Sequence, residues 1–565
     1  MKNITLIKKL AALALACCSL ITVFSGCTDT DGKPNESESE SESVSSSPTS
    51  LTIVNEGDSE YAIVRPSDAD SVEKNAAIEL RSAIKNQCGI TLKIVDELSI
   101  GENKGIYIGD INCEKVKTLT SGFGYNDYII AASGTDIIIC GGNSGKTEEA
   151  VERFITEYIS KGNAVLEIPA DLLIKEINTK NSVTVKVGNN ELKNYSVVLA
   201  NEELYGIEND AKLLHQHCVD NFGFGLTVTN SMSSEIPCEI IIGKNTSRKM
   251  STELEAKLAE CKSNEGLIYF DNGKIWLTGN SDAAIREAIL TFKEEYLDSN
   301  KAVNDALNVS TENKICEFSD KEYTVMSFNL LYEKIDGWCG TPEERTEAVL
   351  THIRTVSPDI LGAQECTEYW YGALCEALGD EYGVVGEMND PKGQKWRNPI
   401  FYRKDKFELV ETKTLWLTKT PTIKSKYTGS VQYRILTYAV LKDKETGKTF
   451  AHANTHLGFE AAEKPHHWKY LIALLDKINY PIVLTGDFNA VRTEVYHTQI
   501  REAGYWNSID MTSDCVTDST LDFVFVTPES VHVVKHYSMP RMVNIGGVDM
   551  RPSDHPAVVT NFCLR

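Results

Sequence analysis

The chain has 565 residues, too many for one compact core, so about two to four domains are expected. Its formal net charge is -24. Roughly three quarters of that excess lies before residue 322, and the C-terminal part is nearer balance at about -6. Such a surface repels bulk nucleic acid and gives no basic footprint of the kind duplex binding usually shows, so nucleic acid is a possible but not the favoured partner.

The N-terminus reads as an export signal. Lys2, Lys8 and Lys9 precede an apolar run from Leu10 to Phe24. The run is short for a membrane span, which needs roughly 20 apolar residues. It ends in Phe24-Ser25-Gly26-Cys27, which resembles the bacterial lipoprotein box, with Phe24 where Leu is more usual. That resemblance implies cleavage before Cys27 and its acylation, and a place on the outer face of the bacterial cell membrane. An ordinary secretory signal with an incidental cysteine is the alternative. From Thr28 to about Ser50 the chain is Ser/Glu-rich with almost no apolar residues, and reads as a disordered tether. Of 15 cysteines, three lie in the signal region. The remainder show neither a CxxC pair nor zinc spacing, and none is a candidate nucleophile.

The front half reads as a duplication. YAIVRP, a helical stretch Glu73 to Asn86, KGIYIGD and a hairpin turning at Ser133-Gly134-Thr135 are matched in order. Their counterparts are YSVVLA, Asn209 to Asn221, CEIIIGK and a turn at Asp271-Asn272-Gly273. Gly142 and Gly279 then open amphipathic helices. Each unit is expected to be a small α/β module, spanning 51–178 and 179–318. They resemble the α/β accessory domains at the N-termini of some bacterial glycoside hydrolases, which implies packing beside a catalytic domain, with carbohydrate contact or a structural role as alternatives. Gly141 to Thr147 (GGNSGKT) lacks the spacing of a phosphate loop and reads as a turn before a helix.

From residue 319 to 565 apolar strands alternate with helices and end in polar residues, as in a layered α/β domain. In such folds strand ends carry chemistry. The residues at those ends are Asn329, Gln364-Glu365, His456, Asp487 and Asn489, Asp522, and Asp554-His555. Singly, each has a bland reading as a turn former, a helix cap or a solvated side chain. Six such features in succession fit one task. A hard divalent cation held by oxygen ligands such as Glu365 can neutralise a phosphate. The asparagines orient oxygen without adding charge, and an imidazole held by Asp522 or Asp554 can shuttle a proton or donate to phosphoryl oxygen.

The motifs SFN (Ser327 to Asn329), QE (Gln364-Glu365), NTHL (Asn454 to Leu457), GDFN (Gly486 to Asn489), LDFVFV (Leu521 to Val526) and SDHP (Ser553 to Pro556) together resemble the endonuclease/exonuclease/phosphatase superfamily. The resemblance implies a four-layer α/β sandwich, two facing mixed β-sheets flanked by helices, behind the two modules. It also implies Mg²⁺ (or Mn²⁺) held by Glu365 with Asn329 and Asp554. Asp487 and Asn489 would position water, metal or phosphate, and His555 paired with Asp522 would contact the phosphate or act as base. His456 would stabilise phosphate or protonate the leaving oxygen. Arg434, in a strand-like run, is a candidate substrate contact, with a surface arginine at a sheet edge as the alternative. Trp370, Tyr371, Trp396 and Trp468 are candidates for a cleft lining, with core packing as the blander reading. The aromatic-His-Gly loop that related secreted enzymes carry before Asp522 is missing here. The expected function is an exported metal-dependent hydrolase of a phosphodiester or phosphomonoester. An extracellular DNase-like nuclease and a surface binding lipoprotein with a vestigial fold are the alternatives.

Overall fold

The computed structural model describes residues 49–565 apart from 161–164, 178–182, 200–206, 231, 245–246, 333–338, 391 and 394. The export signal, Cys27 and nearly all of the tether therefore lie outside the described residues. Ser50–Arg565 form one compact unit. Among the described residues no helix is long and apolar enough to cross a membrane, and the 12 cysteines are all free thiols.

The front half contains two six-stranded sheets of one topology. The first has the order Lys93–Asp96, Tyr61–Arg65, Lys104–Ile108, Asp136–Gly141, Tyr128–Ser133, Leu173–Glu176. The second has the order Thr227–Asn230, Ser196–Leu199, Glu239–Ile242, Lys274–Gly279, Glu265–Asp271, Lys314–Glu317. In each, three parallel pairings are followed by two antiparallel ones. The helix after the hairpin, Ser144–Phe154 or Asp282–Thr291, is capped by Asn143 or Ser281 and ends in a five-residue π-turn. It packs onto the preceding strand end, where a Cβ on Gly141 would lie 2.5 Å from Thr147 N and one on Gly279 2.6 Å from Ala284 Cβ. That contact explains the paired glycines. Thr147 Oγ1 receives the Gly141 N–H at 3.0 Å, so GGNSGKT is a helix start in which the hydroxyl serves the turn itself.

Helix Asp282–Thr291 is buried between its own sheet and the C-terminal region. Arg286 pairs with Asp210 at 2.9 Å and donates to Met511 O, Glu287 meets His532 at 2.8 Å, and Asp282 accepts from Ser513 N at 2.6 Å.

The C-terminal region has two facing mixed sheets. One has seven strands, in the order Tyr382–Val385, Ile400–Arg403, Ile360–Gln364, Glu322–Asn329, Val558–Leu564, Val531–Ser538, Cys515–Val516. The other has six, in the order Phe407–Trp416, Ile435–Asp443, Thr449–His456, Ile482–Asp487, Asp522–Val526, Trp506–Asn507. Tyr323, Val325, Ile360, Leu441, Phe450, Val483 and Phe562 fill the space between them. Helices Pro342–Val356 and Glu368–Leu378 cover the first sheet, and Lys464–Leu475 and Val495–Glu502 the second. The result is the expected four-layer sandwich. Trp370 and Trp468 are fully buried and belong to these outer cores, which settles them as packing.

Near the edge where the polar strand ends lie, the sheets approach closely. A Cβ on Gly362 would lie 2.2 Å from Thr485 Oγ1 and 2.9 Å from the Asn454 amide. Gln364 Nε2 donates to Asn454 Oδ1 at 2.7 Å, and Asn454 Nδ2 donates to Ala363 O at 2.8 Å and Pro399 O at 3.0 Å. Replacing Gly362 by alanine is therefore expected to lower stability by about 1–3 kcal/mol through overpacking. Urea denaturation of residues 50–565 measures it, and an unchanged midpoint would contradict the contact.

Candidate active site

Strand pairing gathers the polar strand ends. Asn329 is in register with Gln364, His456 with Asp487, and Asp487 with Asp522. The two sheets therefore present these groups along one edge of the sandwich, each on a strand held in the core.

Asp487 stands at the centre. Its Oδ2 accepts from Asn329 Nδ2 at 3.0 Å and lies 3.4 Å from His456 Nε2 and 3.8 Å from His555 Nε2. Its Oδ1 accepts from Asn489 N at 3.0 Å. The Asn489 amide continues outward, with Nδ2 at 3.1 Å from His456 Nε2 and 3.0 Å from Leu457 O. His555 Nδ1 meets Asp522 Oδ2 at 2.8 Å, and Ser519 Oγ donates to the same oxygen at 3.1 Å. Ligand atoms of Asp487, Asp522 and His555 all lie within 4.8 Å of one another.

Glu365 forms the other side. Its Oε2 accepts from Tyr332 N at 2.9 Å. Asn329 Oδ1 accepts from Leu331 N at 3.0 Å, and Ser553 Oγ donates to Asn329 O at 2.6 Å and lies 3.2 Å from Asp554 Oδ1. Leu331, Glu365 and Asn489 all have left-handed backbones, with φ of 54°, 53° and 49°. Asparagine tolerates that region, but leucine and glutamate do so at a cost that surrounding contacts must offset. For Leu331 those contacts come from Arg345, a fully buried helix residue that donates to Leu330 O at 2.8 Å, Leu331 O at 2.9 Å and Pro552 O at 2.6 Å. Trp370 Nε1 adds a bond to Leu331 O at 2.9 Å.

Burial and neighbouring charge set the protonation states. Burial pushes the Asp487 carboxyl up to about 7, with His555 opposing and Asp522 adding to the rise. Burial pulls His555 down, but the Asp522 charge and hydrogen bond, with Asp487 and Asp554, outweigh it and push His555 up to about 10. His456 is held well below the usual imidazole range by burial, then by Arg434 and His555, so it is neutral. Burial raises Glu365, the Tyr332 N–H opposes, and Asp554 adds to the rise.

Arg434 is buried rather than at a surface edge. Burial lowers its pKa against the fields of Asp487, Glu365 and Glu463, and its Nε lacks a hydrogen-bond partner among the described residues. His456 Nδ1 and Asp522 Oδ1 are buried and unpartnered in the same way. Trp396 stacks parallel to His456, with centroids 6.3 Å apart, and packs against Tyr332. Arg345 and Ser519 left no signal in the sequence, and Ser553 was part of the SDHP motif without a role of its own. They act on backbone carbonyls or on a neighbour's carboxylate, which leaves no motif beyond SDHP itself.

A model of the Endonuclease/Exonuclease/phosphatase family matches residues 326–555. No curated protein matches the chain. Among solved structures, an endonuclease/exonuclease/phosphatase family protein from Bacteroides thetaiotaomicron is 26% identical, covering 43% of this chain and 98% of its own, at a TM-score of 0.39. The endonuclease/exonuclease/phosphatase from Bacteroides vulgatus is also 26% identical, covering 44% and 100%, at 0.39. A mannosyl-6-phosphatase from Bacteroides thetaiotaomicron is 26% identical, covering 42% and 99%, at 0.38. The matched segment, residues 326–555, carries every residue of this site, so the site lies wholly within the part of the chain that resembles the Endonuclease/Exonuclease/phosphatase family.

Proposed function

We propose that the protein is an exported, metal-dependent phosphoesterase that hydrolyses a phosphodiester or phosphomonoester by in-line attack of water. The observation that carries this reading is the central Asp487 carboxyl, flanked by the Asp522–His555 pair, a neutral His456 and the Glu365 side. Export and a lipid anchor on Cys27 rest on the N-terminal sequence.

The donors on the Glu365 side are all hard oxygens, from Glu365, Asp554 and Asn329, which suits Mg²⁺ or Mn²⁺. The Asp487, Asp522 and His555 cluster is a poorer cradle, because His555 Nδ1 and Asp522 Oδ2 are committed to each other and a protonated imidazole offers no lone pair. A divalent cation bound beside Glu365 would draw charge from the phosphate and stabilise its transition state. Asp487, raised to about 7, is suited to take the proton of the attacking water near neutral pH. His555, kept protonated by Asp522, can donate from Nε2 to a phosphoryl oxygen. His456, neutral and locked by Asn489, can steady the phosphate or serve the leaving oxygen. Arg434 brings a buried guanidinium whose unpartnered Nε an anionic oxygen would satisfy.

The test is turnover by residues 50–565 with Mg²⁺ or Mn²⁺ on bis-para-nitrophenyl phosphate, inositol phosphates, sphingomyelin and plasmid DNA. Nicking of plasmid alone would establish the nuclease reading instead, and inactivity on all would favour a binding protein. Glu365→Ala is expected to cut turnover by at least about a hundredfold, while the circular dichroism spectrum stays native. Unchanged turnover would overturn the metal assignment. Asp522→Asn removes the charge that holds His555 protonated, so the imidazole titration should move down from about 10. Nitrogen NMR of the metal-free protein follows it, and an unmoved titration would refute the pairing.

A further inference from the structure

The loops around the catalytic mouth carry apolar side chains that nothing in the fold uses. Ile423 and Val431 stand on the segment before strand Ile435–Asp443, Phe459 follows His456, Val491 follows Asn489, and Met542 and Val548 belong to the 538–558 connection. Phe459 is 51% exposed, Val431 63% and Val548 61%. These segments leave one edge of the sandwich. Leu436 pairs with Thr455 and His456 with Asp487, while Ser538 pairs with Val558 and Val558 with Ser327, two residues before Asn329. Hairpin Val543–Ile545/Val548–Met550 is tied to the site at its base, where Arg551 Nη2 donates to Asp554 O at 3.2 Å.

Charge on the same rim runs against the rest of the chain. Residues 417–434 hold Lys419, Lys424, Lys426 and Arg434 without one carboxylate, in a protein of net charge -24. The three lysines are exposed, with Lys424 3.3 Å from Glu387, whereas Arg492 and Arg541 on neighbouring loops are paired with Asp510 and Asp518 and add no net charge.

We propose that this rim docks the catalytic mouth on an anionic phospholipid surface, so that the esters offered to the site are those of lipid headgroups. Single apolar side chains on separate loop tips, interleaved with lysines, suit shallow insertion among headgroups. A protein partner would call for clustered, well-packed anchors with a polar rim. The substrate half of the proposal rests on the phosphoesterase reading, whereas the docking half does not.

Residues 50–565, which contain every hydrophobic core among the described residues, are sedimented with vesicles of phosphatidylcholine alone or with added phosphatidylglycerol. The expected result is binding about tenfold stronger to the phosphatidylglycerol vesicles, weakened by salt. The double variant Ile423→Asp/Val548→Asp, on two exposed tips, should bind about tenfold less while its turnover of bis-para-nitrophenyl phosphate stays within about twofold. A wild-type protein left in the supernatant by both vesicles, as a surface made for a protein would be, overturns the proposal. So does a double variant that binds as the wild type does. Vesicle binding without turnover of any ester would instead sink the phosphoesterase reading and leave the docking surface in place.

Discussion

The two sheets of the catalytic domain are joined at their working end by a polar bridge, and the site's geometry follows from it. Gly362 leaves the gap into which Thr485 and Asn454 project, and Gln364 and Asn454 close it with buried amide bonds. Each such bond stabilises by only about 1 kcal/mol net, but leaving a buried amide unpaired costs about 1–3 kcal/mol. The bridge is therefore directional where an apolar contact would not be. It fixes the register of the sheet that carries Asn329 and Glu365 against the sheet that carries His456, Asp487 and Asp522. Two motif residues, Gln364 and Asn454, thus serve alignment, one step behind the cluster of Asn329, Glu365, His456 and Asp487.

A second constraint acts on the loops. Leu331 and Glu365 adopt backbones that cost of order 1–3 kcal/mol each. At Leu331 Arg345 meets that cost by binding three carbonyls from two chain segments at once, while Glu365 is held by the Tyr332 N–H on its carboxylate. A guanidinium can do this because its donors are spread over a rigid plane, whereas an ammonium could not bridge the same carbonyls. Residues 330, 331 and 552 are thereby fixed on either side of the Glu365 pocket, and Asn329 and Ser553 inherit their placement.

The convergence of the polar strand ends was legible in sequence because six apolar runs in succession stop at Asp, Asn, Glu or His. The duplicated modules were legible for a related reason: a glycine pinned beneath a helix leaves a trace, as Gly141 and Gly279 do. What stayed hidden depends on contacts between distant segments. The π-turns at Ile155–Ile159 and Phe292–Tyr296 continue amphipathic helices without changing their composition. Arg345 looks like any polar helix residue until its three carbonyls are in place. Arg434 could be read equally as a surface arginine, and only the packing of both sheets around it decides for burial. The docking of helix Asp282–Thr291 through Arg286 and Glu287 was equally invisible, since charged residues on a helix normally mark its solvent face.

Charge explains why the site is poised rather than neutralised. Glu365, Asp487, Asp522 and Asp554 converge on a space whose cationic partners are His555 and the buried Arg434. His555 is engaged by Asp522, so its charge is largely spent on one carboxylate. Asp487 and Glu365 are raised chiefly by burial, and the neighbouring carboxylates add to the rise. A phosphate ester entering this space would worsen the repulsion unless positive charge came with it. The hard oxygen donors beside Glu365 are where such charge can be held without disturbing the Asp522–His555 pair. The proposed division into a cation-accepting side and a proton-handling side thus rests on which groups are already committed to each other, with Asp487, raised to about 7, between them.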